Sequence, residues 1–111
     1  MLSREAILEA QDLKTETVEI PEWGGAVLVR GLTVGEVSRI VNMATPKGGT
    51  LNVLNSAVWT FIAGVVDPKF TEEDFDALKK KSAAILRAVK VINRLSGINE
   101  DADSVADAEK N

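Results

Sequence analysis

Apolar and polar residues recur with two different periods along this chain, and the switches between them outline its elements. Ser3 is placed to cap a short helix through Gln11, with Leu2, Ala6, Ile7 and Ala10 as its apolar positions. A helix that short needs tertiary packing to persist. From Thr15 the period drops to two. Thr17, Val18, Glu19 and Ile20 alternate up to Pro21, which has no N–H to give to a ladder. Gly24-Gly25 is a turn signal, and Ala26-Val27-Leu28-Val29-Arg30 has the composition of a second strand. The pair predicts a β-hairpin with a longer than minimal loop, its Val27, Val29 and Leu32 facing inward.

Helical spacing returns at Thr33-Val34-Gly35-Glu36, which fits a capping box. Val34, Val37, Ile40, Val41 and Ala44 carry that helix to about residue 44, where Pro46-Lys47-Gly48-Gly49 breaks it, in a loop expected to be mobile. Residues 51–66, LNVLNSAVWTFIAGVV, are the most hydrophobic stretch. Only Asn52, Ser56 and Thr60 share a polar arc; Leu51, Leu54, Val58, Phe61, Ile62 and Val65 fill the other side, and Asn55 falls among them. A helix apolar over most of its circumference is central to a fold or covered by a partner. Asp67-Pro68 closes it. Thr71-Glu72-Glu73-Asp74 opens the next helix with acids where the helix dipole favours them, and Phe75 and Leu78 supply its inner face. Residues 83–95 form a last helix, ended by Gly97, with Ile85, Val89 and Ile92 as its core face and Leu86 and Ala88 beside them. Residues 99–111 lack periodicity and are expected to be a disordered acidic tail. The predicted architecture is α+β and mostly helical. It has one N-terminal β-hairpin and four to five helices in a single domain over residues 1–98.

Composition narrows the function. The chain has 111 residues and a net charge of −4, and the tail alone accounts for that charge. Residues 1–98 balance at twelve acids and twelve bases, so the body has no broad electrostatic footprint for nucleic acid. No apolar run approaches the ~20 residues that span a bilayer, and MLSREAILEA lacks the apolar core of a signal peptide. With no histidine, cysteine or tyrosine, the usual acid–base and nucleophilic groups are missing and no thiolate can hold a metal. Neither a cofactor motif nor a metal site is expected. The Glu72–Asp76 acids lack the spaced ligands and the glycine of a calcium loop, and they read as helix N-terminal charge. The chain is expected not to be an enzyme.

Three features remain. Arg87, Lys90 and Arg94 fall within about 60° on one helix at 100° per residue, and Lys79-Lys80-Lys81 extends the positive region. This is either a solvated face or a site for an acidic partner or nucleic acid, although no aromatic residue interleaves to stack bases. The helix over 51–66 has apolar surface to spare, which the rest of the chain either covers or leaves for a partner. Trp23 and Arg30 of the hairpin either lid the core and pair with a nearby carboxylate such as Glu19, or dock on a neighbouring subunit.

The opening segment, SREAIL followed by ETVEIPEWGGAVLVRGLTVGE, resembles the start of tail assembly chaperones of long, non-contractile-tailed bacteriophages and prophages. The likeness is a hairpin of the form V-x-[IV]-P-x-[WL]-G-G followed by V-x-V-R-x-L-[ST] and a helix. It covers residues 3–45, and the helical remainder is similar only in length and character. The resemblance implies an assembly factor of the host cytoplasm, absent from the finished virion. Such a factor self-associates and keeps the tape measure protein soluble. It also implies a longer form, made by ribosomal frameshifting, whose extension engages the tail tube protein. Glu109-Lys110-Asn111 permits a slippery codon run. On this reading the contact residues are Pro21, Trp23, Arg30, Leu32, Trp59, Arg87, Lys90 and Arg94, acting helix-in-groove. A small nucleic-acid-binding regulator and a minor virion subunit such as a head–tail connector are the alternatives.

Overall fold

The structure is a computed structural model and describes residues 1–98; the acidic tail lies outside the described residues. Helix α1 (Arg4–Glu9) precedes strand β1 (Thr15–Ile20), a 3-10 turn (Pro21–Trp23) and strand β2 (Gly25–Arg30). Helices α2 (Val34–Ala44) and α3 (Val53–Gly64) follow, and α3 runs straight into strand β3 (Val65–Asp67). A second 3-10 turn (Glu72–Asp74) leads into the short α4 (Phe75–Lys79), and α5 (Ile85–Leu95) comes last. The chain is therefore α+β and mostly helical, as its periodicity predicts.

The hairpin forms because β-branched residues dominate β1 and supply the buried positions of β2, Val27 and Val29, and Gly24 takes the left-handed conformation that the turn requires (φ +74°). Its strands pair antiparallel from Thr15↔Arg30 to Ile20↔Gly25. The sheet has three strands rather than the two expected. β3 pairs antiparallel with β2, Val65 opposite Val29, with a bulge between Leu28 and Val29. The helix over 51–66 is correspondingly shorter, because Val65 and Val66 spend their backbone groups on the sheet.

One face of this sheet is buried through Val18, Ile20, Val27, Val29 and Val65. α5 lies over β1 and β2 with Ile85, Ala88, Val89 and Ile92 inward, and α3 packs beside it, followed by α2. Phe61 of α3 is fully buried, its ring edge-on to Trp23 at 6.0 Å and tilted against Phe70 at 5.3 Å. Gly64 lets α3 approach α5: a Cβ there would sit 2.5 Å from Ile92 Cδ1. The capping box at α2 forms as expected, with the Glu36 N–H donating to Thr33 Oγ1 and the Thr33 N–H to Glu36 Oε1. Thr60, assigned to the polar arc of α3, is buried instead, and Leu51 and Leu54, assigned to its apolar side, are exposed.

α1 is also shorter than expected, ending at Glu9 with Ser3 Oγ accepting from the Ala6 N–H. None of the described residues covers it. All of residues 1–15 are exposed, including Leu2, Ile7, Leu8 and Leu13.

Candidate functional site

Of the hairpin residues expected to meet a partner, Arg30 and Trp23 are engaged within the chain and Pro21 is exposed. Register places Arg30 opposite Thr15, so Glu19 lies four residues further along β1, about 13 Å away. Arg30 instead forks onto Glu36, donating to Oε1 at 2.9 Å and Oε2 at 2.5 Å, and also to the Gly31 carbonyl. This corrects the expected pairing with Glu19. The carboxylate is already oriented by the capping box, so one side chain closes the helix start and holds the strand end.

The hydrogen bonds from Arg30 hold the Glu36 carboxyl down at about 2, from an ordinary 4.5, against a smaller opposing effect of burial. A depressed folded-state value means that the pair stabilises the fold above pH 4.5, and that this contribution is lost as pH falls toward about 2. In urea titrations, Glu36→Gln is therefore expected to be less stable than the parent by a constant margin above about pH 5, a margin that closes through that window. A margin independent of pH down to 2 would show that the pairing has no linkage to stability.

The basic stripe is also largely occupied. Arg87 forks onto Glu22 at 2.6 and 2.8 Å, and Arg94 reaches both oxygens of Glu16 at 2.7 and 2.8 Å. The Arg87 guanidinium holds Glu22 down at about 2 as well. These pairs run down the seam between α5 and the hairpin, and Lys90 between them is exposed with no ion pair among the described residues. Two of the three stripe cations are thus neutralised by the chain itself. Two of the acids at 72–76 are likewise engaged: Glu72 accepts from Arg39, and Asp74 caps the Thr71 N–H.

Leu32, expected at a partner contact, is not exposed. It is buried in the core, its N–H donating to Ser96 Oγ at 2.7 Å. Pro21 is exposed at the first position of the 3-10 turn, and Trp23 is only partly exposed because its ring packs T-shaped against Phe61. Trp59 stacks on Phe75 with ring centroids 4.2 Å apart and lines a shallow groove between α2 and α3, with Met43 and Phe70. The Arg39–Glu72 pair spans the rim of that groove.

A second apolar groove lies at the other end of α3. The first turn of that helix, capped by Asn52, outruns its neighbours, and the short α4 and the turn at 80–84 leave a groove of about 350 Å³ against the start of α5. Leu54, Val58, Leu78, Ile85 and Leu86 form its floor and walls, and Lys79 and Lys81 stand at its edge. Leu54 is 69% exposed and Leu86 39%, so large apolar side chains face solvent together here. Asn55 is half-buried in the same wall, its N–H donating to Asn52 Oδ1. Covering Leu54 and Leu86 with a partner would contribute about 1.5–3 kcal/mol for each side chain fully buried. The sequence signal for this site is the all-round apolar character of residues 51–66; which residues stay uncovered depends on where α4 and α5 end.

Such a groove has the dimensions and chemistry to seat an amphipathic helix, its apolar ridge against Leu54 and Leu86 and an acidic flank toward the lysines. None of the described helices is long and apolar enough to cross a membrane. No family model, no curated protein and no solved structure matches this chain.

Proposed function

We propose that this protein is a non-catalytic tail assembly chaperone of a long-tailed phage or prophage, binding apolar helical segments of the tape measure protein and keeping them soluble in the host cytoplasm. The observation that carries the reading is the uncovered apolar surface. In a chain of 111 residues with a well-filled core, Leu54 and Leu86 remain at the surface around one groove, and α1 has no cover among the described residues. Uncovered apolar patches of this kind mark surfaces that meet other proteins. The resemblance of residues 3–45 to such chaperones supplies the identity of the client. The chaperone acts before assembly is complete and is not retained in the virion; a frameshifted longer form would carry the contact to the tail tube protein.

The test is co-expression with the long helix-rich protein encoded downstream, followed by pull-down and a solubility assay. The large protein is expected to become soluble and co-purify. Leu54→Glu is expected to lower its recovery about tenfold or more, because the lost burial of one leucine corresponds to at least that factor in affinity. No binding and no change in solubility would remove the proposal, and detection of the chain in purified particles would favour a connector subunit instead. The regulator reading is weaker because Arg87 and Arg94, its intended phosphate contacts, are taken by Glu22 and Glu16.

A further inference from the structure

We infer that the acidic segment 99–111 lies back along α5 and covers the groove at Leu54 and Leu86 of its own chain, as a tethered occupant that a partner has to displace. Two lysines, Lys79 and Lys81, line that groove, and no acid does. Lys80 between them and Lys90, one turn beyond Leu86 on α5, are also exposed, and none of the four has an ion pair among the described residues. The Lys79 ammonium stands 5.3 Å over the Phe75 ring, a contact that positions the charge without neutralising it. Arg87 and Arg94, by contrast, are already taken by Glu22 and Glu16. The body thus leaves uncompensated positive charge around an apolar floor. The chain holds the opposite charge in one place: Glu100, Asp101, Asp103, Asp107 and Glu109 stand against Lys110 alone.

The end of α5 starts the segment on the right side. Gly97 takes the left-handed conformation (φ +80°), and the chain folds back over the last turn. The Gly97 N–H donates to the Arg94 carbonyl and the Ile98 N–H to the Asn93 carbonyl at 2.8 Å. Ile98 and Asn93 therefore line one hollow against α2 and α3. Asn93 and Leu86 are two turns apart on one face of α5, about 10 Å, and Lys90 stands between them. Residues 99–103 alone reach about 17 Å when extended. Glu100 and Asp101 then come level with Lys90 and Leu86, and Asp103 and Asp107 with the lysines at 79–81. Val105, the one large apolar side chain of the segment, falls between those acids, where Leu54 and Leu86 are uncovered.

The tether favours the chain's own segment over a neighbour's. Held a few residues from the groove, it acts at an effective concentration of about millimolar, whereas a neighbour's is present only at the protein concentration. The apolar arm α1 is no competitor, because Arg4 lies between Ile7 and Leu8 on that helix and would meet the lysines with like charge. Exposed ion pairs are individually weak and screened by salt, so this cover yields to a helix that buries more apolar surface. That last step rests on the chaperone reading; the docking itself does not.

The test uses the full chain, whose lack of cysteine lets one spin label be attached through Ser104→Cys. At low salt the label is expected to remove most of the amide NMR intensity of Leu54, Lys81 and Leu86, and far less of that of Lys69, in the groove between α2 and α3. The loss is expected to vanish near 1 M salt, where screening acts within about 3 Å. It should vanish equally in Lys79→Gln with Lys81→Gln, and in Asp103→Asn with Asp107→Asn, whose changes lie outside the described fold. Mixing spin-labelled chain with isotope-labelled chain that carries no spin label identifies the source, and no broadening is expected there. Broadening in that mixture would assign the cover to a second copy and overturn the inference. So would an absent or evenly spread loss within the labelled chain, or a loss that survives both pairs of substitutions. A segment that does not dock in a chain that still solubilises the tape measure protein would remove the docking and leave the chaperone reading standing. A docked segment without solubilisation would do the reverse.

Discussion

Phe61→Ala is expected to lower the stability of the fold by about 3–5 kcal/mol, as large as single truncations of a core side chain usually reach. Phe61 is fully buried at the point where α3, the hairpin loop and the segment after β3 converge. Its ring packs T-shaped against Trp23 and tilted against Phe70, so removing it leaves a cavity that those two rings cannot both close. A domain of this size has on the order of 5–15 kcal/mol of stability in all, so the variant would sit near the limit of folding. Thermal and urea unfolding should show a melting temperature lower by about 15 °C or more. Phe61→Leu, which retains most of the volume, should recover the greater part of the loss. A cost below about 1 kcal/mol for the alanine variant would mean that the site collapses freely and that the hairpin is not anchored through this ring.

The second large effect is expected at Gly31. A Cβ on this buried residue would lie 2.7 Å from the Leu95 carbonyl oxygen and 2.9 Å from its carbon. Both are backbone atoms, so no side-chain rotation relieves the overlap. The strand end would have to move away from α5, and the Leu32 N–H to Ser96 Oγ hydrogen bond beside it would stretch from 2.7 Å. Gly31→Ala is therefore expected to cost about 2–3 kcal/mol, as overpacking does in well-filled interiors. Urea unfolding measures it directly. Gly25→Ala is the contrast: its Cβ would meet nothing within 4 Å, so an equal loss at both positions would show that crowding is not the cause at Gly31.

Local chemistry explains which elements are readable in the sequence. β1 and the turn are visible because proline, a glycine pair and a period of two all mark the same place. The start of α2 is visible because its capping box is a matter of residues three apart. β3 is not, because Gly64-Val65-Val66 continues the apolar run of α3 without a break, and only the pairing of Val65 with Val29 turns it into strand. The partner of Arg30 is hidden for the same kind of reason: proximity to Glu36 arises from the fold of the strand back toward α2. For the candidate site, the apolar excess of residues 51–66 is legible, but its location is not. Periodicity assigns Leu51 and Leu54 to the covered side, and both are exposed; Leu54 lines the groove that the short α4 leaves open. The pattern of residues 2–10 announces a helix, which forms over Arg4–Glu9, and it contains nothing about what would pack on it.

The direct passage of α3 into β3 has a mechanical consequence. Gly64 is the last residue of the helix and Val65 the first of the strand, with no loop between them to absorb displacement. The exposed leading turn at Val53 and Leu54 and the sheet contact at Val29↔Val65 are therefore opposite ends of one stiff lever, pivoting where Gly64 meets Ile92. A load on the free end tilts the whole bar, and its tail is hydrogen-bonded to the central strand of the sheet. What grips the groove also tugs on the hairpin.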